Sequence, residues 1–316
     1  MDPQVKEALQ AVQSGKLVAI PTETVYGLAA PIDRPELIEK IFLLKKRPFF
    51  DPLIVHISEL SQLSLVTDFE SSLLSTLAHH FWPGPLSIVV PKKASISGMI
   101  TSGLETVAVR MPDHPLTLQF IKELGQPVAA PSANLFGKTS PTKFEHVVRT
   151  FDSADVFTIN GGDCRVGIES TVVKIVSGER LVILRPGFIT KAMLQAKVGN
   201  NLMVSYDEAS KETPGALKHH YMPEKPLILA SSWKQVHDAQ LPFDPIEQIH
   251  LPSDPVIAAR TLYDLLRQND QKKAQALLII LEVALKRNQM QNDKEEGLWF
   301  SILDRLSKAA TFDLRK

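Results

Sequence analysis

Cysteine is nearly absent from this 316-residue chain, with Cys164 standing alone. That excludes an internal disulfide framework and a thiolate-rich zinc site, and it fits a reducing cytosol. An excess of charge of one sign is also absent, because 35 Lys+Arg offset 35 Asp+Glu. No global field draws the chain to nucleic acid or anionic lipid, so any basic patch has to be local. Long hydrophobic runs are lacking too. The longest, ALLIILEVAL at 276–285, is broken by Glu282 and has about half the length that crosses a bilayer. The N-terminus MDPQVKEALQAVQSGKLVAI carries acidic residues and a helical 3–4 apolar spacing, without a secretory apolar core. A cytoplasmic chain with no membrane contact is expected.

Familiar chemical signatures are missing as well. There is no GxxxxGK[ST], no GxGxxG after a strand and no GxSxG, which argues against P-loop, dinucleotide-binding and α/β-hydrolase readings. His79-His80 and His219-His220 have no Cys or carboxylate at ligand spacing, so no metal is assigned to protein side chains.

What is present is a series of short apolar runs that each open into polar residues: PTETVYGL (21–28), LKKRPFFDPLIVHI (44–57), TVAVRMPDHP (106–115), APSANLFGKTSPT (130–142), GIESTVV (167–173) and LRPG (184–187). An α/β protein places its chemistry at strand ends in this way. Strands are expected at 17–24, 53–57, 86–90, 106–111, 127–132, 156–160, 171–176 and 181–184. Helices are expected at 35–46, 69–80, 115–124, 142–151 and 190–198. With 44% apolar residues, the chain is able to bury a core and make two domains. The polar stretch 205–226 reads as a linker. The expected division is therefore a catalytic domain at 1–204, a linker or lid at 205–226, and a small α/β domain at 227–316.

Several side chains are placed for chemistry. Pro48 disfavours helix at Arg47, so Lys45 and Arg47 sit where a helix dissolves into a loop. They either face one anionic ligand or complement a helix C-terminus. Ser132 and Asn134 share one face of an extended segment. The Ser140-Pro141-Thr142 turn leads into FEHVVRTF, whose free N–H groups suit phosphate or an ordinary cap. Arg110 and Arg185 end strands, suited to carboxylate or phosphate. Thr24 and Tyr26 offer hydroxyls to a ligand or close a turn; His56 lies on an apolar strand as core residue or ligand; Ser170 and Thr171 open TVVKIV. Such a set lacks an obvious nucleophile and suits positioning and charge neutralisation.

Together PTETVYGL, KKRP…PLIVHI, WPGPLS (82–87), VAVRMPDHP, APSAN…SPT, GIESTVV and LRPG resemble the YrdC-type domain of the L-threonylcarbamoyladenylate synthases over about residues 8–200. TPGALKHHYMP and LWFSILDRLSKAA extend the resemblance to the long, two-domain form. The resemblance implies a YrdC-like twisted mixed sheet covered by helices, plus a smaller Rossmann-like C-terminal α/β domain. It implies a nucleotidyltransferase that joins L-threonine, bicarbonate or CO2, and ATP (with Mg2+) into threonylcarbamoyl-AMP and pyrophosphate. A separate transferase consumes that product in tRNA modification, and weak RNA binding is compatible with the role. By motif, Lys45, Arg47, Ser132 and Asn134 form the catalytic tetrad. Arg47, Asp51, Thr106, Asn134, Thr142, Arg185 and Tyr221 meet ATP, and Thr24, His56, Arg110, Ser132 and Ser170 surround threonine. His220 or Tyr221 is expected to act as a lid. Departures from the family pattern are Phe136 in place of Ser, Asp51 where Asn is common, and 216–219 in the linker. Two alternatives are an RNA-binding module without turnover and a carbamoyl-phosphate-dependent carbamoyltransferase.

Overall fold

Alternating β-branched runs and helix-period segments fold as their spacing dictates in the computed structural model, which describes residues 1–176, 180–199, 202–207, 220–281 and 294–315. The first part runs α1 (Pro3–Gln13), β1 (Leu17–Ile20), β2 (Gly27–Pro31), α2 (Pro35–Lys45), β3 (Ile54–His56), α3 (Ser72–Phe81), β4 (Leu86–Pro91), α4 (Gly98–Thr101), β5 (Thr106–Arg110), α5 (Pro115–Leu124), β6 (Val128–Ala129), α6 (Phe144–Val148), β7 (Val156–Thr158), β8 (Thr171–Val176), β9 (Arg180–Arg185), α7 (Lys191–Val198) and β10 (Met203–Tyr206). These strands form one ten-stranded mixed sheet in the order β10-β9-β8-β4-β5-β3-β6-β2-β1-β7.

The two faces of this sheet differ. Val55, Val107 and Val109 point into the large core shared with the helices, so strand alternation turns Ile54, His56, Ala108 and Arg110 the other way. Ile54 and Ala108 join a small apolar patch with Val89, Val172, Val182 and Leu184. The parallel register pairs His56 with Arg110, placing an imidazole beside a guanidinium at the edge of that patch.

The second part runs β11 (Leu227–Ala230), α8 (Trp233–Asp238), β12 (Ile246–Gln248), α9 (Pro255–Asp270), β13 (Ala276–Ile280), α10 (Lys294–Ala309) and β14 (Phe312–Asp313). Its four strands, ordered β12-β13-β11-β14, are all parallel. It does not stand apart from the first part: Val25, Val166, Ile168 and Tyr221 share an apolar cluster with Leu262, Leu266, Ile302 and Leu306. Gly167 makes the seam tight, because a Cβ there would lie 2.4 Å from the Arg260 Cα, and its φ is +81°.

The expected boundary at 204 falls inside β10, which stays paired with β9 through Tyr206. Within the expected linker, 208–219, including the departures at 216–219, lie outside the described residues. The end of that segment is strapped down rather than loose. Met222 N–H donates to Gly137 O (2.8 Å), and Thr139 N–H donates to Met222 O (3.1 Å). Strand β2, which falls in none of the expected strands, pairs antiparallel with β1. Its Gly and Ala residues carry no β-branched signal. Among the described residues no helix is long and apolar enough to cross a membrane.

Candidate active site

A pocket of about 50 Å3 opens on the less covered face of the large sheet, lined by Thr22, Thr24, Val25, Gly27, Arg47, Ile54, His56, Arg110, Ala130, Pro131, Ser132, Glu169, Ser170, Arg185, His220 and Tyr221. Four segments build it together with β3, β5 and residues 220–221.

The first is the turn between β1 and β2. Thr22 Oγ1 donates to Val25 O (2.6 Å) and accepts from the N–H groups of Thr24 and Val25 (3.1 and 3.2 Å), a hydroxyl-closed turn of the kind Thr favours. The turn presents Thr24 Oγ1 to Arg110 Nη1 (2.9 Å) and Glu23 Oε1 to Arg110 Nη2 (2.7 Å). Arg110 Nε donates to Gly84 O (3.1 Å). Gly84 is the glycine of WPGP, where a Cβ would lie 2.4 Å from Phe81 O. Tyr26 turns away from the pocket; its hydroxyl donates to Gly162 O (2.8 Å) and accepts from Gly161 N–H (3.1 Å), a long-range tether to the segment after β7. Beside Arg110, His56 sets Nδ1 3.2 Å from Ile54 O, which fixes Nδ1 as donor and leaves Nε2 as acceptor. Burial, reinforced by Arg110, pushes this imidazole down to about 3, so it is neutral across ordinary pH.

The second segment is the end of α2. Lys46 takes left-handed geometry (φ 52°), and the chain leaves the helix ahead of Pro48. Lys45 Nζ turns inward and donates to Ser132 O (2.6 Å) and to Asn134 O. The side chain is 1% exposed, and burial, helped by Arg47, drives its pKa well down. Arg47 donates to Asp51 O (3.1 Å) and Pro52 O (2.8 Å) and pairs with Asp51 Oδ2 (2.9 Å).

The third is the loop 130–142. Asn134 Nδ2 donates to Leu135 O (2.7 Å) and Lys138 O (2.8 Å), and Phe136 N–H donates to Lys45 O (2.8 Å). Lys45, Ser132 and Asn134 are thus one bonded unit, with the Ser132 side of the loop facing the pocket.

The fourth is GIESTVV with the end of β9. Arg185 Nη2 donates to Ser170 Oγ (3.1 Å) and Nε to Ser170 O (3.1 Å), while Ser170 Oγ lies 2.8 Å from Ser87 Oγ. Glu169 accepts from Ser140 Oγ (2.6 Å), Tyr263 Oη (2.8 Å) and Arg305 Nε (3.0 Å). Burial raises its pKa, but Arg305 and Arg185 outweigh that and hold the carboxyl at about 2. His220 and Tyr221, from the segment between the two parts, close the pocket, and burial pushes the His220 imidazole down to about 3.

The structure therefore brings Thr24, Arg47, His56, Arg110, Ser132, Ser170, Arg185 and Tyr221 to one cavity. Others of the expected set stand elsewhere. Lys45 and Asn134 lie behind the wall as its supports. Asp51, expected at ATP, is the counter-ion of Arg47. Thr106 is four residues up β5 from Arg110 and lines a separate small cavity with Pro52, Leu53 and Leu104. Thr142 is buried off the pocket; its N–H donates to His146 Nδ1 (3.2 Å), and the helix it leads into has only five residues. Glu23 and Glu169 were not singled out by sequence reasoning although both lie in the quoted motifs. Neither were Tyr263 and Arg305, which come from the second part of the chain.

Arginines, hydroxyls and a neutral imidazole converge on one cavity, a lining whose chemistry suits an anionic, hydrogen-bonding ligand. Residues 10–187 match the family described as telomere recombination, and residues 189–311 match the family described as threonylcarbamoyl-AMP synthase, C-terminal domain. The threonylcarbamoyl-AMP synthase of Bacillus subtilis is 44% identical over 232 residues, covering 72% of this chain and 67% of that relative. The Pyrococcus abyssi enzyme of the same name is 32% identical, covering 99% of this chain and 96% of the relative. The crystal structure of P. abyssi Sua5 complexed with L-threonine superposes with a TM-score of 0.83 at 31% identity, over 98% of this chain and 95% of that one. The chain belongs to the threonylcarbamoyl-AMP synthase family.

Proposed function

We propose that the pocket binds L-threonine and ATP side by side and condenses them, with bicarbonate or CO2, into threonylcarbamoyl-AMP and pyrophosphate. One observation carries the reading: Arg47, Arg110 and Arg185 line the same cavity as Thr24, Ser132, Ser170 and a neutral His56. The threonine amine adds to CO2, loses a proton and becomes a carbamate. The carbamate oxygen then attacks the α-phosphorus of ATP as the bond to pyrophosphate breaks. Both nucleophile and leaving group are anionic, so fixed guanidiniums lower the cost of their approach. Arg47 and Arg185 serve the phosphates. Arg110, Thr24 and Ser170 serve the amino acid, and His56 Nε2 accepts a hydrogen bond from its amine or hydroxyl. His220 and Tyr221 wall the reactive carbamate from water.

Among the described residues, the one carboxylate lining the pocket, Glu169, is committed to Ser140, Tyr263 and Arg305. Among the described residues, no cluster of three or more His, Cys, Asp or Glu suits a metal ion. The described residues do not build a magnesium site, so Mg2+ is proposed to enter as the MgATP substrate, held by phosphates and water. The labile product calls for a separate transferase that delivers the group to tRNA.

Pyrophosphate release from ATP, measured with and without L-threonine and bicarbonate, tests the reading. Strict dependence on both is expected. RNA binding without ATP turnover would support a binding module instead, and turnover of carbamoyl phosphate a carbamoyltransferase.

A further inference from the structure

We propose that Arg305 of α10 is a positioning residue for the pocket: it fixes the Glu169 carboxylate and the Tyr221 ring, making the C-terminal part a working component of the nucleotide site. The inference rests on the function proposed above. Arg305 is fully buried (0% exposed), and its Nε donates to Glu169 Oε2 at 3.0 Å. Its Cζ lies 5.4 Å from the centre of the Tyr221 ring, within reach of a cation–π attraction. Tyr221 also stacks on Tyr263 (centroids 5.8 Å apart, 25° between planes), and Tyr263 Oη donates to the same Glu169 oxygen that Arg305 holds (2.8 Å). Arg305, Glu169, Tyr263 and Tyr221 thus close a ring of contacts across the seam.

Two features give this ring a purpose beyond stability. Tyr221 has φ 67°, a left-handed geometry that a bulky residue adopts only when its surroundings hold it there. Its hydroxyl is buried, has no hydrogen-bond partner among the described residues and belongs to a pocket-lining residue, so it is held ready for an acceptor that those residues do not supply. On the opposite side, Glu169 immediately precedes Ser170, the partner of Arg185. Displacing the Glu169 carboxylate therefore also disturbs an arginine proposed to meet the phosphates. A buried ion pair is weak evidence for stability, because well-packed apolar residues often replace one without loss. Its location between the pocket wall and the C-terminal helix accounts for it better.

The full-length chain is compared as wild type, Arg305→Lys, Tyr221→Phe and the double variant. The readouts are kcat and KM for pyrophosphate release, ATP affinity by calorimetry, and thermal unfolding. Arg305→Lys keeps the charge but not the planar fork. The expected result is a cooperative melt with a loss of about tenfold, confined to kcat or to KM for ATP and absent from KM for L-threonine. The double variant should be no worse than the more damaged single one, because both substitutions break the same device. Wild-type kinetics in Arg305→Lys, or losses that multiply in the double variant, overturn the proposal. Should Arg305→Lys not fold, Tyr263→Phe, which removes one hydroxyl from Glu169, must show the same non-additivity with Tyr221→Phe. Wild-type protein that releases no threonine-dependent pyrophosphate sinks the functional reading. Positioning is then judged by calorimetry: an ATP affinity lowered in Arg305→Lys upholds it, and an unchanged or absent affinity overturns it.

Discussion

Arg110 Nη2 stands 2.7 Å from Glu23 Oε1, with both side chains almost wholly buried. The guanidinium expected to clamp a substrate carboxylate already has one of its own. Removing Glu23 leaves a buried cation without a counter-charge, a change that costs on the order of 3 kcal/mol. Glu23→Gln should therefore unfold at lower urea concentration than wild type, and saturating L-threonine should recover part of the difference by supplying a carboxylate. Equal stabilisation of both proteins by L-threonine would show that Arg110 does not meet that group.

His56 gives stability a pH dependence of known sign. Its imidazole sits at about 3 in the folded chain against an ordinary 6.5, so between those values the unfolded state binds the extra proton. Its contribution is fully present above about pH 6.5 and is lost as pH falls, by about 2 kcal/mol at pH 5. Denaturant titrations of wild type and His56→Gln should show a stability difference that shifts in favour of the variant by that amount between pH 7.5 and 5. His146, held at about 4, and His220, at about 3, contribute the same sign to both proteins and cancel in the comparison. Parallel curves would rule out a buried neutral His56.

Lys45 is a support. Lys45→Met removes the donor shared by the Ser132 and Asn134 carbonyls, at a cost of about 2–3 kcal/mol for the acceptors left unpaired. Turnover should fall more than about tenfold as the loop slackens. Lys45→Arg should not restore it, because the longer planar fork does not fit where a single nitrogen meets both oxygens. A Met variant with unchanged stability and kinetics would contradict this role.

Gly167 and Gly162 form a matched pair, since both have positive φ but only Gly167 has a neighbour within 4 Å of an added Cβ. Gly162→Ala should cost about 1 kcal/mol of backbone strain. Gly167→Ala should cost at least about 2 kcal/mol, because it drives a wedge against the α9 backbone. Differential scanning calorimetry should show a broadened or split transition for Gly167→Ala alone, and identical melts would deny the tight seam.

Much of this site was legible because it obeys simple periods. Pro48 announced the end of α2 between Lys45 and the loop, and Arg110 was legible as the end of its strand, whereas the pairing of His56 with Arg110 on one face follows from the parallel register of β3 and β5. Glu23 and Glu169 stayed unread inside their motifs because a carboxylate beside an anion site looks repulsive until its own arginine is known. Those partners lie 87 and 136 positions away in the chain, a distance no local pattern spans. Arg305 did leave a trace: it falls on the buried stripe of α10 with Leu298, Ile302 and Leu306, a cation at a core position. Asp51 and Thr106 were assigned by motif alone, and only the loop's path shows Asp51 facing Arg47.

The apolar cluster that joins Val25, Val166 and Ile168 to α9 and α10 means that shortening this chain is not a neutral dissection. A fragment stopping at 204 would turn those three side chains toward water and strip Glu169 of Tyr263 and Arg305, leaving a sticky rim around a half-neutralised cavity. Any shorter catalyst cut from this scaffold would have to be re-surfaced along that rim first.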